Sequence, residues 1–161
     1  MRSLFVVFSL VASAIPALAE VGPPVDVASR AKGAGKVVVA RIIDVRAQFE
    51  TNRFGDQLIV SHAVLEVLET LKGAPEATIT VAVEGGTVGD ITLKVSDLPS
   101  VNEGDRAVFF LDAGNNSHTP HDRGRGIMKL NANDRVDGTT LSLDDVRQQV
   151  RGAGSQGRGG R

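Results

Sequence analysis

Hydrophobic and polar residues alternate with a period of two in the stretch after Lys36: Ile43, Val45, Ala47 and Phe49 are interleaved with Asp44, Arg46 and Gln48. Successive side chains on extended backbone point to opposite faces, so this pattern predicts a half-buried strand. "ATITVAVE", "DITLKV", "RAVFFLD" and a shorter "GIMKL" predict further strands. "LIVSHAVLEVLETLKG" fits two periods. Leu65, Leu68 and Leu71 lie three apart with Glu66, Glu69 and Lys72 on a polar side, as in a helix, whereas Ser61, Ala63, Leu65 and Val67 alternate. The β-branched entry favours a long strand over 58–72, turning at Lys72-Gly73-Ala74-Pro75.

The final segment, "TLSLDDVRQQVRG", changes period. Ser142 followed by Asp145 forms a capping-box pattern, and Leu143, Val146 and Val150 fall on one helical face. Gly152 stands where a C-terminal cap belongs. Residues 153–161, rich in glycine and arginine, have nothing to bury and are expected to be disordered. Five to six strands followed by one amphipathic helix predict a mainly β domain, a closed or partly open barrel over residues 36–152 around a single core. Residues 20–35 carry Pro23-Pro24, Gly33 and Gly35 and read as an extended lead-in with one helical turn.

Residues 1–19 have the form of a cleavable export signal. Arg2 precedes the apolar run Leu4–Val11, and Ala17-Leu18-Ala19 supplies the small-x-small pattern before Glu20. The run falls short of the roughly 20 apolar residues that span a bilayer. A periplasmic or secreted chain starting at Glu20 is expected, with no membrane attachment after cleavage. The sequence has no cysteine, which excludes disulfides and thiolate metal sites. Without Arg2 the basic residues fall from 18 to 17 against 19 acidic, a formal charge of −2, so no global field invites nucleic acid. With neither Trp nor Tyr, and only Phe49, Phe54, Phe109 and Phe110 after the leader, the chain lacks material for a base-stacking platform.

The most motif-like stretch, "VAVEGGTVGDITLKV", has a strand after its glycines. A phosphate loop needs a helix there, with a Lys-Ser/Thr pair, and Asp90 adds negative charge where phosphate would lie. Gly85 and Gly86 are therefore read as positive-φ or bulge positions in a hairpin connection. The order "VVVARI", "VLEVLETLKG", "VEGGTVG", then Pro99 to Gly104 and Asp105 leading into "AVFFL" resembles a family of uncharacterised exported bacterial proteins. The likeness spans roughly residues 36–151, with Gly73, Gly85, Gly86, Pro99, Gly104 and Phe110 on its structural motifs. Val101 stands where that family has Phe. Such proteins are similar to the netrin-like, tissue-inhibitor-of-metalloproteinase-like module. The resemblance implies an OB-type barrel with packed helices and a non-enzymatic binding role. The inhibitor's zinc-reaching N-terminal cysteine has no counterpart here.

Chemistry-bearing residues are few. His118, His121 and Asp122 in "SHTPHDRGRG" are of zinc- or copper-ligating type, yet Pro120 breaks any helix that would align them and only His62 remains as a third imidazole. The segment is read as a solvated loop, with Arg123 and Arg125 as surface charge. His62 and Ser61 point to opposite faces of a strand and cannot form a base and nucleophile. "NANDRVDG" has Arg135 at the third position of a calcium loop, where an oxygen is needed, while Asp137-Gly138 signals a hairpin. The expected function is an exported, non-catalytic module without cofactor that recognises another exported protein, with proteases among the candidates, through loops or a strand edge. The rival readings are a metal-binding or metal-dependent hydrolytic protein using His118 and His121, and an envelope structural component with no small ligand.

Overall fold

The long alternation after Lys36 becomes the first of two 16-residue strands, β1 (Lys36–Thr51) and β2 (Gln57–Lys72), which pair antiparallel along their whole length. The computed structural model describes residues 26–52 and 54–155; the expected export signal over 1–19 and the end of the tail lie outside the described residues. β2 pairs on with β3 (Thr78–Glu84), whose chain continues into a small hairpin, β4 (Gly86–Val88) and β5 (Ile91–Leu93). Next come β6 (Arg106–Ala113), β7 (His118–Pro120), a 3₁₀ turn at Arg123–Gly126 and β8 (Ile127–Leu130). The main sheet has the order β1-β2-β3-β7-β6-β8, and β6 also pairs with β1. The link from β3 to β7 is a single parallel bridge, Val81 to His118.

The two periods that compete in β2 have one cause. Leu65 faces Ile42 and Val67 faces Ala40, but Glu69 then faces Val39, Thr70 faces Val38 and Lys72 faces Val37. Leu68 and Leu71 are the extra residues at these two register shifts. A bulge inserts one residue and shifts the alternation. Two of them, three residues apart, imitate a helical repeat on extended backbone.

The interior is divided in two rather than being the single core expected. Val38, Ala40 and Ile42 of β1 and Ala107, Phe109 and Leu111 of β6 face one cluster together with Ala63, Leu65, Ile79 and Val81. Val37, Val39, Val108 and Phe110 project from the opposite face against α1 (Val27–Gly33) and α2 (Leu143–Ser155). β1 and β6 are thus covered on both sides, which is why "VVVA" and "AVFFL" are continuously apolar where half-buried strands would alternate.

The lead-in is more structured than the sequence suggested. α1 has two turns, capped by Asp26 accepting from the Ser29 N–H at 2.8 Å, and its Val27 and Ala31 are buried in the helical layer. Lys72, at the end of β2, closes the other end of α1. Its Nζ donates to the carbonyls of Ala31 (2.6 Å), Lys32 (3.2 Å) and Ala34 (2.6 Å). A cation at the negative end of a helix satisfies carbonyls that have no intrahelical partner. Lys72→Met is expected to cost about 2 kcal/mol by removing charge-assisted hydrogen bonds, read as a lower denaturation midpoint with an unchanged slope.

α2 starts at the expected capping box. The Ser142 N–H and hydroxyl donate to the Asp145 carboxylate at 2.9 and 2.6 Å, and the Asp145 N–H donates back to Ser142 Oγ at 3.2 Å. These bonds hold the Asp145 carboxyl below its ordinary range. The helix does not stop at Gly152 but runs to Ser155, because Ala153 is buried in the helical layer with Val146 and Val150. That burial outweighs the roughly 1 kcal/mol that glycine costs inside a helix.

Candidate functional site

Where β3 ends, two glycines redirect the chain. Gly85 has φ 107° and Gly86 φ 130°. The Gly85 N–H donates to the Ile59 carbonyl at 2.7 Å, and its carbonyl accepts from the buried Ser61 hydroxyl at 2.7 Å. A Cβ on Gly86 would overlap the Ser61 hydroxyl and press on Ala47 at 3.0 Å. Gly86 therefore allows β4 to lie directly on the β1–β2 ribbon. The glycine stretch is indeed a bend, as read from the sequence, although the tight turn of the hairpin is made by Gly89 and Asp90 further on.

Beyond β5, residues 94–102 run back towards β1 and leave a cleft of about 680 Å³ between this segment, the β4–β5 hairpin and the ribbon. Val45, Ala47, Val83, Leu93, Leu98 and Val101 supply apolar lining, and Ser61, Thr87, Thr92, Ser96 and Ser100 supply hydroxyls. That size and mixture are typical of small-molecule and peptide-side-chain pockets. Glu84 and Lys94 are its charged residues. Pro99 lies in the wall, and Gly104, with φ 85°, turns the chain into β6.

The far wall is anchored from the segment that holds the candidate metal ligands. Arg123 Nε donates to Asp97 Oδ2 at 2.6 Å and Nη2 to Asp97 Oδ1 at 3.3 Å, while Nη2 also reaches Glu84 at 3.1 Å. The Arg123 hydrogen bond holds the Asp97 carboxyl below its ordinary range, and the two acids raise the guanidinium's pKa further. Asp122 and Arg123 both have positive φ, 52° and 56°. Each such non-glycine residue costs roughly 1–2 kcal/mol, a strain that surrounding structure must offset. Here the offset includes the fork of Arg123 on Asp97 and the burial of Gly126.

"SHTPHDRGRG" is not a solvated loop. His118–Pro120 is strand β7, pairing with β6 through Leu111–Pro120, Asp112–Thr119 and Ala113–His118. His121 Nδ1 bonds the Asp112 carboxylate at 2.9 Å, and its ring lies against Gly33 of α1, where a Cβ would overlap it. His62 pairs with Glu50 at 2.5 Å in the β1–β2 ribbon. Among the described residues no group of three or more His, Cys, Asp or Glu is placed to hold a metal ion. His118, His121 and Asp122 thus have structural employments: bridging strands, tying β6 to α1, and pairing with Arg125 at 3.2 Å.

No protein-family model matches the chain, and no curated protein matches its sequence.

Arg30 crosses from α1 to the same corner and donates to the Arg125 carbonyl at 2.8 Å. Burial, with the Arg125 charge beside it, lowers its pKa from the ordinary value. The carboxylates of Asp26 and Asp122 offset this in part. The calcium-like stretch is likewise occupied. Asn131 Oδ1 accepts from the Asn133 and Arg135 N–H groups, and Asp134 pairs with Arg106 at 2.8 Å. The cleft was not foreseen because its lining comes from segments as distant as Val45 and Asn102. The two adjacent glycines were its only local signal.

Proposed function

We propose that this protein is an exported, non-catalytic binding module on an OB-type, netrin-like barrel, and that it recognises another exported protein through the cleft at the β4–β5 end. The strand connectivity supports the barrel type: β1 to β2 to β3, across one parallel bridge to β7, and back through β6 to β1. Residues 1–19 support export. The observation that carries recognition is the cleft itself, a concave mixture of apolar surface and hydroxyls beside a strand edge, the setting in which side chains of an extended segment are read. Arg123, which follows the His118/His121 corner, braces the cleft wall through Asp97. A protease is among the partners compatible with this reading.

The test is capture from a periplasmic or secreted fraction by the processed chain, beside Ser100→Trp, which fills the cleft from an exposed rim position. A reproducible partner whose recovery falls about tenfold with the variant, a change of about 1.4 kcal/mol, is expected. Equal recovery by both proteins would remove the cleft from the proposal.

A further inference from the structure

β1 lines the cleft with Val45 and Ala47, and the backbone edge of the same stretch is a second feature. The strand pairs with β6 only from Lys36 to Arg41, and the Asn102–Asp105 turn then closes the edge at Ile42, whose N–H donates to the Asp105 carbonyl at 2.9 Å and whose carbonyl accepts from the Gly104 N–H at 2.8 Å. Ile43 is the extra residue at a register shift, and from Asp44 to Thr51 β1 has β2 on one side and, among the described residues, no strand paired on the other. An open edge of this length is a template for another strand unless charge or shape prevents it. Its exposed face reads Asp44, Arg46, Gln48, Glu50, and Ile43 and Phe49 are half exposed beside them.

We propose that two copies of this chain pair through these edges, antiparallel about a two-fold axis at Gln48. In that register Arg46 stands opposite Glu50 of the second copy, and the symmetry forms the pair twice. Gln48 meets Gln48, and Phe49 covers Ala47 of the other copy. Opposite charges facing each other across antiparallel strands stabilise the pairing, and like charges oppose it. The Arg46 side chain is 83% exposed and, among the described residues, is paired with Asp44 at 2.9 Å, so it can turn outward. Registers shifted towards Ile42 are worse. An axis at Arg46 sets arginine against arginine, one at Ala47 sets Asp44 against Glu50, and one at Val45 drives the second ribbon into Gly104 and Asp105. The Gln48 axis instead brings Asn52 opposite Asp44, two residues short of Ile42, where the Asn102–Asp105 turn closes the edge. A two-fold contact of this kind uses one patch twice and closes without forming a filament.

The interface is small, so the dimer is weak, with Kd on the order of ten micromolar. The experiment is sedimentation velocity of the chain from Glu20 onward, which contains every described residue, across a concentration series. A reversible monomer–dimer equilibrium is expected. Arg46→Glu alone and Glu50→Arg alone should each weaken it at least tenfold, and the double variant should return it to within about threefold of the parent. Far-UV circular dichroism confirms that each variant is folded. A parent that stays monomeric throughout overturns the proposal, as do single reversals without effect or a folded double variant that fails to recover.

Discussion

Phe110→Ala is expected to lose about 3–5 kcal/mol of stability, and Phe109→Ala the same, although their side chains never share a compartment. Phe109 lies in the cluster enclosed by β1, β2, β3 and β6, and Phe110 lies between the sheet and the two helices. Both are fully buried, so truncation removes contacts that nothing nearby can replace. Chemical denaturation of each variant measures the loss, and the two should differ in what loosens. Phe110→Ala should free α1 and α2, seen as faster hydrogen exchange in the helices with β2 and β3 still protected. Phe109→Ala should raise exchange across β2 and β3. Phe49→Ala, half exposed on the ribbon, serves as the control and should change stability by less than about 1 kcal/mol.

Gly126→Ala should be at least as damaging, with a loss of about 3 kcal/mol or more, or failure to accumulate as folded protein. The methyl group would overlap the His121 carbonyl and lie 2.7 Å from the His121 nitrogen and 2.9 Å from the Phe110 carbonyl. Those are backbone atoms, fixed by the His121 N–H donating to the Phe110 carbonyl at 2.8 Å, and cannot swing aside. Gly124→Ala meets the Asp97 backbone in the same way and should release the cleft wall with the corner. Gly152→Ala is the contrast. Nothing lies within 4 Å of its Cβ position, and it is inside α2, so alanine should stabilise the protein by up to about 1 kcal/mol. Thermal unfolding of the three variants measures the order directly.

Much of this architecture is legible in the residues. Alternation marks β1 and β3, the double-phenylalanine run marks a central strand, and the Ser142–Asp145 spacing marks the start of α2, because each depends on neighbours in sequence. The failures share the opposite dependence. β7 is three residues with a proline and no alternation, and it is a strand only because β6 and β3 offer it edges. α1 follows a Pro-Pro pair and ends in glycine, and what stabilises it is Lys72, forty residues on, together with α2. The long strand expected over 58–72 is β2, and the bulges at Leu68 and Leu71 account for the helix-like spacing within it. His121 looks like a ligand in the sequence because Asp112 and Gly33, its partners, are far away along the chain.

One measurement separates recognition at the cleft from chemistry at the histidine corner. A photo-reactive amino acid placed at Lys94, exposed on the cleft, or at Asp122, exposed on the corner, reports which surface a native partner touches. Irradiation in cells that produce the protein should join Lys94-labelled chain to a partner protein and leave Asp122-labelled chain unjoined. Adducts from Asp122 with none from Lys94 would contradict the account and return attention to the corner.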